Sequence, residues 1–331
     1  MSELRGRLAS WDSAIIGVTV LVLIGASIGV ENFGNSSNFT FLILDLLPIA
    51  LIALPMTMIV ITGEIDLSVA STLGLTSAIM GDLWNRGLTI ETIMPLCVLA
   101  GALLGAVNGF LINRLGLPSL AVTIGTLALY RGLALVVLGD AAVADFPWTY
   151  TGWVTGTIGG AVPNVLIILV VLAVIAGVVL HATPFGRSLF AIGANDQAAR
   201  FSGINVTRTK FWLYVVSGAV AGLAGVLWTL RYSSARADNG AGLELAVVAA
   251  VLLGGVSIFG GKGSLWGVLS GVLLLAALQN ALRLQDVSGQ ALNIVTGVLL
   301  IASVLLPNII TGTRNALQKR RLRAAVPAQS S

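Results

Sequence analysis

The chain has 331 residues, 56% of them hydrophobic and only 10% charged, with a formal net charge of +4. A soluble domain carries about 25% charged residues, so this composition excludes an ordinary soluble protein and reads as a polytopic, all-α membrane protein. The basic residues stand at the ends of apolar runs rather than in an aromatic-interleaved patch, which excludes nucleic acid as a partner. One cysteine, Cys97, and one histidine, His181, exclude a disulfide framework, a cysteine-based metal cluster and a multi-histidine metal centre within one chain. No cofactor is expected.

A spanning helix needs about 20 mostly apolar residues. About ten runs qualify in chain order, near 13–30, 41–61, 67–83, 91–112, 119–138, 163–181, 211–230, 243–259, 265–283 and 289–307. The segment 1–12, with Arg5 and Arg7, precedes a run that is long for the core of a signal peptide and reads as an uncleaved first helix. With a cytoplasmic amino terminus, that side receives thirteen of the eighteen Lys and Arg residues and the outside four, Arg131 falling within a span. This bias predicts that both termini are cytoplasmic. It also makes the basic tail 311–331 cytoplasmic. The connector Gly139 to Val162 contains Trp148, Tyr150 and Trp153 but no Lys or Arg, as suits the outer interface.

The interruption Thr183 to Lys210, TPFGRSLFAIGANDQAARFSGINVTRTK, separates two apolar runs and falls on the cytoplasmic side. Asn195 can cap a short helix, Asp196 suits its first turn and Gly203 can end it. The result is a compact knob carrying Ala198, Ala199 and Phe201, ringed by Arg187, Arg200, Arg208 and Lys210. It reads either as a docking element for another subunit or as an ordinary basic connector.

A shift of 170 positions lays one half of the chain on the other. Leu99 to Asn113 falls on Leu269 to Arg283, and Ala121 to Gly132 on Ala291 to Ala302. Helices two to five then correspond to seven to ten. Because five is odd, the second copy crosses in the opposite sense, which makes an inverted repeat of the kind found in many transporter folds within a single transmembrane domain, 1–331.

Chemistry concentrates in ITGEIDLSVAS, Ile61 to Ser71, where two carboxylates interrupt apolar sequence. Charges at this depth face a cavity or a partner, so Glu64, Asp66 and Ser68 are candidate pathway residues, with a helix-capping role for Asp66 as the competing reading. The second-half counterpart is Gly242 to Gly267, whose Glu244 lies at the outer entrance of its helix as a cap or a contact for arriving solute. GGKGS within it is not a phosphate-binding loop: the required upstream glycine is Val256, and Gly263 follows Lys262. No ATP site and no pairing of nucleophile with base is present. Arg131 is expected to snorkel or to bind a carbonyl, Asp45 to be solvated at the outer interface, and Asn108, Asn113, Gln279 and Asn280 to bond between helices.

Four segments carry a resemblance. ALPMTMIVITGEIDLSVASTLGL, NGFLINRLGLPSLAVTIGTLALYRGLA, FGRSLFAIGANDQAARFSGINVTRTK and VVAAVLLGGVSIFGGKGSLWG together resemble the permease subunits of bacterial ABC importers for ribose and related monosaccharides. The resemblance runs from about residue 40 to 307. SSARADNGAG and NALRLQ look most like the D-type autoinducer-2 and the rhamnose permeases. It implies a sugar-importing permease without its own enzymatic activity, served by an extracytoplasmic sugar-binding protein, a cytoplasmic ATPase subunit and a second permease, identical or related. It also implies Gly186, Gly193, Asn195, Ala199, Arg200 and Gly203 as the ATPase contact. The family commonly has two glycines before IDLS where this chain has Gly63 then Glu64, and Ala70 replaces a commonly seen glycine. A second class, an ion-coupled transporter using Glu64 and Asp66, remains open from the residues alone.

Overall fold

The computed structural model describes residues 11–303 and Leu305; the tail 311–331 and most of the segment 1–12 lie outside the described residues. Thirteen helices account for nearly all regular structure among these residues. They are α1 (Trp11–Gly29), α2 (Ser36–Ile61), α3 (Val69–Asn85), α4 (Ile90–Asn113), α5 (Ser119–Leu138), α6 (Trp148–Thr155), α7 (Leu166–Ala182), α8 (Pro184–Ala194), α9 (Asp196–Phe201), α10 (Val206–Tyr232), α11 (Leu243–Leu253), α12 (Leu265–Arg283) and α13 (Gly289–Ser303). A two-residue hairpin, β1 (Thr157–Ile158) with β2 (Val162–Pro163), follows α6 in the connector.

Each of the ten apolar runs contains a helix, but six of these helices are long and apolar enough to cross a membrane, or seven if α7 and α8, bent by 67°, count as one span. The shortfall has local causes. The 17 residues of α3 include Ser, Thr, Asp and Asn. The 11 residues of α11 reach only about 16 Å, roughly half a hydrocarbon core, because Gly254 and Gly255 end the helix and Gly255 takes a positive φ.

Helix α2 is the centre of the molecule. It is apolar on every face, and Leu51, Ile52, Ala53, Met56, Ile59 and Ile61 are fully buried, the pattern of a core helix. Pro48 and Pro55 lie inside it, tolerated where neighbouring helices shield the freed carbonyls. Around it pack α7, α10, α11 and α12. The most extensive contact joins α4 to α10, where Gly101 and Gly105 meet Gly218 and the Tyr214 carbonyl so closely that an added methyl on either glycine would overlap backbone. Such small-residue stripes let membrane helices gain dispersion contacts along their backbones.

Polar residues at helix interfaces pair as their chemistry requires. Asn280 and Asn38 exchange hydrogen bonds of 2.9 and 3.0 Å, and Gln279 donates to Thr296 at 2.9 Å. Among the described residues Asn113 bonds within its own helix, to Gly109, and not to another helix. Asp45 is held between Arg231 and Arg283 rather than solvated alone, which ties α2 to α10 and α12. Cys97 is fully buried, and His181 accepts from the Leu265 amide at 3.4 Å.

Candidate functional site

The turn between α2 and α3 forms because Gly63 takes a left-handed φ of 82°. Its amide donates to Val60 at 2.9 Å and the next amide, of Glu64, donates to Ile59 at 3.3 Å, closing the helix with a Schellman pair. Glycine is needed at 63 for that φ, whereas position 64 is free to carry a side chain. The two carboxylates that follow point into different surroundings.

Asp66 is 1% exposed. Its Oδ1 accepts from the Ser68 amide at 3.0 Å and from the Ser68 hydroxyl at 2.6 Å, and its Oδ2 accepts from Ser217 of α10 at 3.3 Å. Asn108 of α4 donates to Ser68 Oγ at 2.7 Å, and the Tyr130 hydroxyl of α5 donates to Leu104 at 2.9 Å and approaches Asn108 Oδ1 at 3.5 Å. Tyr214 donates to the Ile65 carbonyl at 3.3 Å. Asp66 therefore closes a turn onto the amide of Ser68, the residue before α3, and among the described residues caps no amide of that helix, and its second oxygen reaches across the bundle. Two hydroxyls and one backbone amide, from the turn itself and from α10, bond the carboxylate directly, Asn108 of α4 stands behind Ser68, and among the described residues no cation is bonded to Asp66.

Glu64 faces the other way. Its Oε1 accepts from Lys210 Nζ at 2.7 Å, with the two side chains 9% and 18% exposed. Lys210, in the first turns of α10, also lies 3.4 Å from Asp196 of α9, and Asp196 accepts from Arg200 at 2.7 Å. Burial opposes ionisation of Asp196, yet the hydrogen bond from Arg200 and the charge of Lys210 hold its carboxyl below the usual carboxylate range. The chain Glu64, Lys210, Asp196, Arg200 thus runs unbroken from the α2–α3 turn to the outside of the 183–210 loop. Sequence reasoning placed Lys210 only among the surrounding cations; its single signal was a lysine opening an apolar helix.

The loop itself follows its local code. Thr183 caps α8 by accepting from Gly186 at 3.2 Å, with Pro184 in the first turn. Asn195 caps α9 by accepting from Ala198 at 2.9 Å, and Gly203 ends it at a φ of 84°. Ala199 is buried against Ile192 and Val206 inside the knob, and Gly186 packs on the Leu180 carbonyl, so these two shape the loop from within. Arg200 and Phe201 face outward, Phe201 at 92% exposure.

Gly193 makes a three-way junction. A methyl group there would overlap the Ile61 carbonyl at the end of α2 and crowd the Gly261 amide, which itself donates to Ile61 at 2.8 Å. The loop therefore touches the carboxylate-bearing turn and the glycine-rich segment after α11 at one point. Glu244 stands apart, in the first turn of α11, with no hydrogen bond or ion pair among the described residues. Arg131 lies near it and clamps the carbonyls of Ala237 and Asn239 at 2.9 and 2.8 Å and that of Ala70 at 3.4 Å. In this way it bridges the start of α3 and the loop before α11.

A bundle of apolar helices with a buried polar turn, joined by ion pairs to an exposed helical loop, defines a membrane permease. The chain belongs to the family described as the branched-chain amino acid transport system permease component, whose profile matches residues 38–304. It is similar to the autoinducer 2 import system permease protein LsrD of Yersinia enterocolitica, with 34% identity over 310 residues covering 90% of this chain and 92% of the relative. It is also similar to LsrD of Yersinia pseudotuberculosis, with 32% identity over 329 residues covering 96% and 98%. No solved structure matches.

Proposed function

We propose that this chain is the pathway-forming permease subunit of an ATP-driven importer for a sugar or sugar-like solute, in the class of autoinducer-2, rhamnose or ribose. The observation that carries the reading is the ionic arm from Arg200 through Asp196 and Lys210 to Glu64, beside the Gly193 junction. It gives a subunit bound at the 183–210 loop a direct mechanical connection to the turn that holds Asp66. Asp66, Ser68, Asn108 and Ser217 supply one acceptor-rich carboxylate with hydroxyl and amide groups. That chemistry suits a neutral polyol, whose hydroxyls donate and accept without carrying charge.

In this reading Arg200, Gly203 and Asn195, with Phe201, form the face offered to a cytoplasmic ATPase, while Gly186, Gly193 and Ala199 hold the loop in shape. Glu64 belongs to the coupling arm rather than to the pathway lining, and Glu244 to the outer entrance. Both termini are cytoplasmic, an extracytoplasmic binding protein delivers the solute, and a second permease, identical or related, completes the path. The inverted repeat is supported by packing: exchanging α2, α3 and α4 for α10, α11 and α12 turns the contacts of α10 with α3 and α4 into those of α2 with α11 and α12. Under that shift of 170 the equivalent of the Glu64 turn is the loop before α11, and the glycine segment 254–264 lies one helix further on.

Ion coupling through Glu64 and Asp66 is not favoured, because Glu64 is already neutralised by Lys210. Reconstitution of the permease with its ATPase and binding protein in sealed vesicles tests the reading. ATP-dependent solute uptake is expected, and uptake driven by an ion gradient alone overturns it. Arg200→Glu and Gly203→Trp are expected to weaken ATPase co-purification at least tenfold with unchanged membrane insertion; full retention of the ATPase by both variants removes the docking assignment.

A further inference from the structure

An open cleft of about 700 Å³ lies where the end of α4 meets the start of α10, on the same side of the bundle as the 183–210 loop, and Phe110, Arg114, Asn205, Thr207, Arg208 and Phe211 line it. Two cations face it. Among the described residues neither the Arg114 nor the Arg208 guanidinium makes a hydrogen bond or ion pair, and no carboxylate lines the cleft. Asn205 spends its side-chain oxygen on the Arg208 amide at 3.0 Å, which leaves its NH₂ group as a further donor. Thr207 Oγ1 accepts from Arg200 at 3.4 Å and keeps its own proton to donate.

Below this polar rim the surface is apolar and turned outward. On α4 the exposed residues Leu96, Leu99, Leu103, Val107 and Phe110 recur at helical spacing, and Arg114 follows Phe110 by four. On α10 Arg208, Trp212 and Val216 share one face in the same way, with Trp212 and Val216 about half exposed. Both stripes thus end in an arginine at the same level.

We propose that this cleft binds the phosphoryl headgroup of an anionic membrane phospholipid, with its acyl chains lying along the two stripes. Paired guanidinium groups match phosphate oxygens in geometry and charge, and basic clefts between membrane helices next to an apolar face fit a lipid rather than a free anion. Assignment to the cytoplasmic leaflet rests on the orientation proposed above, whereas occupancy of the cleft does not. A phospholipid there would brace the first turns of α10, which also carry Lys210.

Native mass spectrometry of the full-length protein, incubated with phosphatidylglycerol and phosphatidylcholine of identical acyl chains, tests it. The expected result is preferential retention of phosphatidylglycerol, falling about fivefold in Arg114→Gln and in Arg208→Gln and about 25-fold in the double variant, with most binding kept in the double lysine variant. Equal retention of the two lipids, or wild-type phosphatidylglycerol binding by the double glutamine variant, overturns the proposal. So does displacement of the lipid by excess inorganic phosphate, which marks a small-anion site. A double variant that loses ATPase co-purification or self-association while keeping the lipid overturns it as well, assigning the cleft to a subunit contact. If the double variant aggregates, the single variants decide. Because lipid retention is read on the isolated permease, it fails or succeeds independently of ATP-driven uptake.

Discussion

Glu64 and Asp66 stand two residues apart in one turn, yet the first is joined to a lysine of α10 and, through it, to an exposed loop, while the second is enclosed by hydroxyl and amide donors. A paired carboxylate is electrostatically spent: it fixes the distance between two elements and resists displacement by a neutral solute. A carboxylate held only by neutral donors can exchange those donors for the hydroxyls of a solute. In the proposed function the same residue class serves as a strut at one end of the turn and as a recognition group at the other, and the difference in partners is set by what α10 presents, Lys210 against Ser217.

The largest effect that can break this contrast is expected at the strut. Lys210→Met leaves Glu64 largely buried without its cation, which costs about 2 kcal/mol, below the 3–5 of a fully buried pair because both groups keep some solvent. Thermal unfolding in detergent measures it, and adding Glu64→Gln in the same chain is expected to restore most of the loss. If the second change deepens the defect, the pair is not the unit described.

A smaller effect belongs to the recognition end. Ser68→Ala removes the hydroxyl donation to Asp66, keeps that of the backbone amide and leaves Asn108 without its acceptor, at about 1.5 kcal/mol, and it is expected to alter solute preference in competition uptake assays by tenfold or more. Glu64→Gln, by contrast, lowers uptake of all solutes alike. A selectivity change in Glu64→Gln with none in Ser68→Ala reverses the two assignments.

The smallest effect lies at the exposed end of the arm. Asp196→Asn removes a solvent-screened i,i+4 pair with Arg200 and a longer contact with Lys210, together worth about 1 kcal/mol or less. Because the carboxyl of Asp196 is held below its usual range, its contribution is present at neutral pH and is lost as pH falls through the folded-state value. The stability gap between wild type and Asp196→Asn should therefore be constant from about pH 8 to 5 and close below about pH 4. A gap that opens on acidification contradicts this sign.

Residues close in the chain were legible because their physics is local. Composition gave the membrane class, each apolar run became a helix, and Asn195 and Gly203 cap and end α9 as short-range hydrogen bonding and φ preferences require. The length of α11 was overestimated, since the sequence 243–259 remains apolar past the Gly254–Gly255 break that ends it. Asp45 was misjudged for a different reason: its two arginines lie 186 and 238 positions away.

By itself, then, the sequence determined a helical membrane permease, the position of its polar turn and the capped knob of its loop. Only the tertiary structure decided which carboxylate is paired. Lys210 reaches Glu64 across 146 positions and Ser217 reaches Asp66 across 151, contacts set by how α10 lies against the α2–α3 turn. That placement depends on glycines allowing backbones to touch at α4 and α10 and at Gly193. Hydropathy and capping patterns carry no information about which helix faces which, so partners this distant become definite only when the bundle has packed.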